Sequence, residues 1–224
     1  MILLEKNYPR YLKLNVEKIK CLIFGKDTLH NDEIIIDNTK FEIVNSFKYL
    51  GNILNSKMDD SEDIELKLHN FYKSFYPVLN CFSNVEMSTF LFIFNAYCMP
   101  NYGLELWCSS GIFNKKVFKT FEVAYCKSLK RISNVPNYYS NHFVAEMCNQ
   151  FLFDHYVNLK QAKFLKSIDS CKLPLYSLNR IYFFNGIFYQ SIFKNFIKKY
   201  NVNVFKYDFK ILKSRLQFVQ LHEK

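Results

Sequence analysis

Glycine and proline are scarce, five of each in 224 residues, and tryptophan occurs once. So few turn residues exclude collagen-like, linker-like and low-complexity chains. They also argue against an all-β sandwich, whose many tight turns need both. Arginine is nearly missing, four residues against 26 lysines. The seven cysteines contain no CxxC pair and do not cluster with histidines in sequence. A disulfide framework or a zinc site is therefore not expected, and neither is a bound metal. This cysteine usage fits a reducing, intracellular compartment, nuclear or cytoplasmic. Glu5 and Lys6 interrupt the apolar start at once, so no secretory leader is expected. The uncharged run between Glu86 and Glu105 holds Ser88, Thr89, Asn95, Pro100 and Asn101. It reads as a buried helix stopped by proline rather than a bilayer span.

What is present is apolar and basic. Half of the chain is hydrophobic, enough for a sizeable core, and 18% is aromatic, with 24 Phe and 16 Tyr. The bias toward Lys, Asn, Phe, Tyr and Ile is the one AT-rich coding sequence produces, so aromatic abundance alone is no stacking signal. Charge is more informative. Residues 1–66 carry a net −3 and residues 67–224 a net +13. A basic carboxy-terminal part favours phosphate-rich partners or an anionic membrane surface.

The pattern predicts an α+β fold, mostly α: a small antiparallel β-meander over 1–57, a helical region over 58–150 and a helical extension over 151–224. The apolar run 21–24 closed by Gly25 is a strand candidate. Residues 34–36 and 41–44 read as a hairpin around Asp37-Asn38. Residues 47–54 read as a further strand interrupted at Gly51 by a bulge or a close backbone approach. From Asp59 the period changes. Ile64, Leu68, Phe71, Phe75 and Val78 recur at helical spacing behind Asp59, Asp60 and Ser61, the N-cap candidates. Further helices are predicted over 87–99, over 115–132, around 145–148 and over 157–168, the last with Lys160, Lys163 and Lys166 on its polar side.

The helix over 115–132 has the cleanest pattern. At about 100° per residue, Phe118, Phe121, Tyr125, Leu129 and Ile132 share one stripe. Lys116, Lys119, Lys127, Lys130 and Arg131 gather on the opposite side, with Glu122 as the single acid, off that face. One side is core and the other cation, which makes these five residues candidates for phosphate contact.

Three segments in order resemble the reverse transcriptases of non-LTR (LINE-type) retrotransposons. Leu12-Lys13-Leu14-Asn15-Val16-Glu17-Lys18-Ile19-Lys20, running into Cys21-Leu22-Ile23-Phe24-Gly25, is similar to the stretch that follows that family's catalytic Asp-Asp motif. Phe41 to Gly51, ending in Phe47-Lys48-Tyr49-Leu50-Gly51, is similar to its primer-grip hairpin. Phe94-Asn95-Ala96-Tyr97-Cys98-Met99-Pro100, then Tyr102-Gly103, Glu105 and Trp107, is similar to its thumb. Arg131-Ile132 with Val135-Pro136 continues the likeness, with Asn134 where the family has Gly. The resemblance covers about residues 11–150.

The resemblance implies the end of a polymerase palm followed by a helical thumb. The primer-grip-like residues Phe47, Lys48, Tyr49, Leu50 and Gly51 would hold a primer end, with Phe47 and Leu50 also packed in the core. Lys18 would match the lysine proposed to protonate departing pyrophosphate. Lys116, Lys119, Lys127, Lys130 and Arg131 would track the backbone of a template–primer duplex, RNA–DNA or DNA. Intact family enzymes hold Mg²⁺ on aspartates that precede the first segment. Only Glu5 among carboxylates lies there in this sequence, so this chain is expected to lack a catalytic centre, a cofactor and polymerase activity of its own. Met58-Asp59-Asp60 imitates the catalytic motif but stands after the primer-grip element, where helix capping is the simpler role. Two other readings remain: a helical protein–protein interaction module with a solubilising basic face, and peripheral membrane binding through 181–213, with Lys194, Lys198 and Lys199 beside aromatics. No membrane association is expected on the leading reading.

Overall fold

A computed structural model describes residues 19–24, 34–36, 39–57, 59–100, 103–107 and 115–170, with positions 200, 213, 214, 217, 219 and 220. The fold is mixed α+β and mostly helical. It forms two compact units, Met1–Met58 and Asp59–Lys224.

The first unit holds β1 (Lys20–Leu22), β2 (Ile34–Ile36), β3 (Thr39–Val44), β4 (Ser46–Tyr49) and β5 (Asn52–Asn55). β3 is central in a three-stranded sheet of order β1-β3-β2. β2 and β3 pair antiparallel, Ile34 opposite Phe41 and Ile36 opposite Thr39; the expected turn at Asp37-Asn38 lies outside the described residues. β1 departs from the expected meander. It pairs with β3 in parallel, Lys20 opposite Glu42, and these two side chains form an ion pair across the strands. A short apolar run encodes a strand but not its direction. The chain between β1 and β3 is long enough for the crossover that a parallel pair requires.

Residues 47–54 are two strands, not one. β4 and β5 pair antiparallel with Phe47 opposite Leu54 and Tyr49 opposite Asn52. The loop between them is the pair Leu50-Gly51, with φ of 48° and 86°. Two positive φ values in a two-residue loop are the type I′ pattern, whose twist matches that of the flanking strands. The first position of such a turn usually carries Asn, Asp or Gly, and Leu50 hides the signal. The Ser56 amide donates to the Asn45 carbonyl at 2.8 Å and ties the hairpin's open end.

The second unit contains α1 (Ser61–Cys81), α2 (Met87–Tyr97), a 3-10 turn (Leu104–Leu106), α3 (Lys115–Ile132), α4 (Asn141–Met147) and α5 (Phe153–Ser170). The Asp59 carboxylate accepts hydrogen bonds from the Ser61 amide (2.9 Å) and hydroxyl (2.8 Å), anchoring the start of α1. Glu62 and Asp63 follow in the first turn, where acids favour the helix dipole. α2 ends at Tyr97, before Pro100. It is one-sided rather than buried all round: Phe90, Leu91 and Phe94 face the core, while Phe92 and Tyr97 are exposed.

α3 and α4 end alike. After α3 the Val135 amide donates to the Lys130 carbonyl and the Asn134 amide to that of Arg131; after α4 Gln150 donates to Ala145 and Asn149 to Glu146. Both are Schellman closures, which need a left-handed residue just past the helix. Asn134 (φ 52°) and Asn149 (φ 50°) supply it. Asn, with Asp, visits that conformation more readily than other side-chain-bearing residues, and here it substitutes for the scarce glycine.

The core of this unit is aromatic. Phe121 of α3 is fully buried, with its ring 5.4 Å from that of Phe71 (α1), 5.8 Å from Trp107 and 4.6 Å from Phe153 (α5). Phe94 of α2 meets Phe71 and Phe75 edge-on, the arrangement that sets a positive ring edge against a negative ring face. Phe153 and Val157 belong to this same core, so the expected carboxy-terminal extension begins inside it. Further along, the Tyr200 hydroxyl accepts from Asn158 Nδ2 at 2.7 Å, and its ring lies 5.7 Å from that of His155. Gln220 accepts from the Leu152 amide and donates to the Gln150 carbonyl, both at 3.0 Å. Most of 171–224 lies outside the described residues.

Candidate nucleic-acid interface

α3 places the five cations differently from a simple wheel. Lys116, Lys119, Lys127 and Arg131 are exposed. Lys130 is only 8% exposed, and its Nζ donates to the Asn137 carbonyl at 2.9 Å. The expectation of Lys130 as a phosphate contact is therefore corrected. The Schellman closure folds the chain after α3 back along the helix, so its backbone covers the lysine stem and takes up the ammonium. Lys119 is exposed but forms an ion pair with Glu122 at 2.6 Å, one turn on. The guanidinium carbon of Arg131 lies 5.6 Å from the ring centroid of Tyr76, which itself stacks on Tyr72. This cation–π contact with α1 fixes the planar group while leaving the residue open to solvent.

Lys127 borders a shallow concavity of about 180 Å³ lined also by Val123, Cys126, Lys130, Asn137 and Asn141. Burial pushes the Cys126 thiol up to about 11, with the Glu122 charge adding to it against Lys130 and Lys119. The thiol stays protonated near neutral pH and is no nucleophile.

Next in sequence to its lining residues Asn137 and Asn141 stand three aromatic rings that the sequence pattern does not single out. Tyr138 and Tyr139 are stacked at 4.8 Å with 26° between their planes. Tyr139 stacks in turn on Phe143 at 5.4 Å and 27°. All three are exposed, Tyr138 to 81%. The Ser140 hydroxyl caps α4 by accepting from the Phe143 amide at 3.1 Å, and the Tyr139 amide donates to the Pro136 carbonyl at 3.3 Å. The i,i+4 spacing of Tyr139 and Phe143 was the legible signal, hidden by the general aromatic excess.

The primer-grip-like residues lie in the first unit. Phe47 is half-buried, while Lys48, Tyr49, Leu50 and Gly51 are exposed. Leu50, expected in the core, is instead 70% exposed at the hairpin tip. The turn geometry forces its side chain off the sheet. Lys18 lies outside the described residues, as do Lys194, Lys198 and Lys199.

Asp59 and Asp60 do not fit a metal pair of the polymerase kind, since Asp59 holds the helix start and Asp60 leads directly into α1. No group of three His, Cys, Asp or Glu side chains gathers around a possible metal position among the described residues. No helix among the described residues is long and apolar enough to cross a membrane. No protein-family model, curated protein or solved structure matches the chain.

Proposed function

We propose that this chain is a reverse-transcriptase-related nucleic-acid-binding protein, the end of a palm followed by a helical thumb, which holds a template–primer duplex through its phosphates. The observation that carries the reading is the outer side of α3. Lys116, Lys127 and Arg131 are exposed there, and the single acid of the helix, Glu122, is engaged by Lys119. Lys116 and Lys127 stand about 16 Å apart along the helix axis. That span matches roughly five base-pair steps of one strand. Such contacts hold the duplex in place and carry no base information.

The backbone at the resembling motifs supports the same reading. Gly51 and Gly103 have φ of 86° and 88°, and Asn134, standing where the family has Gly, has φ of 52°. These three positions are thus ones where chain geometry favours Gly or Asn. No polymerase step is assigned to this chain.

The test is duplex binding, RNA–DNA and DNA, followed by fluorescence anisotropy across salt. The logarithm of the binding constant should fall with log[salt] at about −0.9 per neutralised phosphate, a slope near −2 to −3 for three cations. K127E together with R131E should flatten it. Salt-independent or absent binding overturns the reading. The exposed Phe92 and Tyr97 of α2 favour the second reading, a helical protein–protein interaction module, in that event.

A further inference from the structure

We propose that the ladder Tyr138–Tyr139–Phe143, with Lys127 at the adjoining concavity, is a base-stacking site for single-stranded nucleic acid. The inference rests on the nucleic-acid reading above and narrows it to a site and a strand type. Large aromatic side chains ordinarily gain by burial. Here three of them stand open to solvent, nearly parallel and in van der Waals range of one another. The ladder is held from behind. Lys130 grips the loop at Asn137, Ser140 caps α4, and Tyr139, just ahead of that cap, stacks on Phe143 in the helix's first turn. A ring held this way loses little freedom when a base stacks on it.

The charge fits the same ligand. Lys127 is exposed at the concavity that Asn137 and Asn141 also line, next to the rings in sequence. Single-strand sites combine such a cation for the backbone with aromatic faces for successive bases. A duplex offers no such faces, because its bases are already stacked on one another. Asn137 and Asn141 supply amides for base edges without imposing one base, so the binding is tolerant of sequence.

The test uses the full chain and three labelled probes at one low salt concentration: oligothymidylate of about 20 nucleotides, an abasic sugar–phosphate strand of equal length, and a duplex. Oligothymidylate should bind at least about tenfold more tightly than the abasic strand, since only stacking separates them. Y138A and Y139A should each weaken oligothymidylate about tenfold and leave duplex binding and its salt slope unchanged. Tyr138 is exposed enough that Y138A keeps the fold, which far-UV circular dichroism checks. If Y139A loosens the fold, Y138A alone decides. Equal binding of the abasic strand, or unchanged single-strand binding by Y138A while the duplex still binds, overturns the stacking site and leaves the phosphate reading standing. Failure of all three probes to bind overturns both.

Discussion

Trp107 Nε1 donates a hydrogen bond of 2.8 Å to Asp63 Oδ2, joining residues 44 positions apart in the helical unit. The same carboxylate oxygen lies 2.5 Å from Lys67 Nζ, and all three side chains are buried. Lys67 in turn sits 5.9 Å from the Trp107 ring centroid, and Gln161 Nε2 donates to the Trp107 carbonyl at 2.8 Å. The first turns of α1, the segment after the 3-10 turn and α5 are thereby fastened at one point.

Removing one partner of a buried pair strands the other's charge. D63A is expected to destabilise the unit by about 3–5 kcal/mol, against about 1–2 kcal/mol for W107F if only the hydrogen bond is lost. Replacing the pair together, D63L with K67M, should recover much of the D63A loss. Urea unfolding of the three variants gives the comparison. Equal midpoints for D63A and wild type would refute it.

Phe121 joins rings from α1, the Trp107 segment and α5, so its truncation leaves a void that no single element can close. F121A should cost about 3–5 kcal/mol, and F121L clearly less. Loss of the near-ultraviolet aromatic signal at a lower denaturant concentration than wild type is the readout.

Alkaline pH should destabilise the helical unit. Burial raises Cys126 from an ordinary 9.0 to about 11 and Tyr156 from 10.0 to about 12, the latter helped by the nearby Glu105 charge. Tyr125 is also held well above its ordinary value by burial. In each case the folded state keeps a proton that the unfolded chain releases sooner. The stabilisation is complete below about pH 9 and is lost as pH rises toward 12, because the unfolded state then binds fewer protons. Thermal midpoints measured from pH 7 to 11 should hold level and then fall. C126A should fall less steeply between 9 and 11.

The two neighbouring lysines of α3 should separate by phenotype. K130A should lower stability by about 1–2 kcal/mol, through the lost hydrogen bond to Asn137 and the uncovered stem. K127A should leave the melting temperature within about a degree and reduce the salt slope of duplex binding by about 0.9. Paired melting and anisotropy titrations distinguish them.

Leu50 occupies a left-handed position that costs a non-glycine residue about 1–2 kcal/mol. L50N should therefore stabilise the hairpin by about 0.5–1 kcal/mol, since Asn before Gly suits a type I′ turn. Slower amide exchange at Lys48 and Ile53 would register it. Faster exchange would mean that the Leu50 side chain contributes more than its strain costs.

The helices were the legible part of this sequence, because a stripe such as Phe118, Phe121, Tyr125, Leu129 and Ile132 repeats at the helical period and burial follows it. What the stripe could not tell is what covers the opposite side. Lys130 lies within the cationic arc by angle, yet the returning backbone after Asn134 encloses it. What buries Asp63 and Lys67 is Trp107, which comes in from 44 residues away and which no spacing within α1 announces. The hairpin at Leu50-Gly51 was missed for a local reason, a Leu where the turn prefers Asn. Asn149 carries no mark in a chain rich in Asn, while Asn134 stands where the resembling family has Gly; a chain with five glycines uses both to end helices. The candidate site divides in the same way. Its lysines followed from periodicity, while its aromatic rungs came from a short loop and cap whose spacing is lost among 40 Phe and Tyr residues.

Tyr200 and Gln220 reach back across 42 to 70 positions to Asn158, Gln150 and Leu152, beside a fully buried His155. Shortening the polypeptide ahead of position 200 would wet that imidazole and leave the Leu152 amide without its acceptor. Tyr200 and Gln220 thus act as a clasp on the start of α5, and a chain trimmed to the helical core should be less robust than its compact appearance suggests.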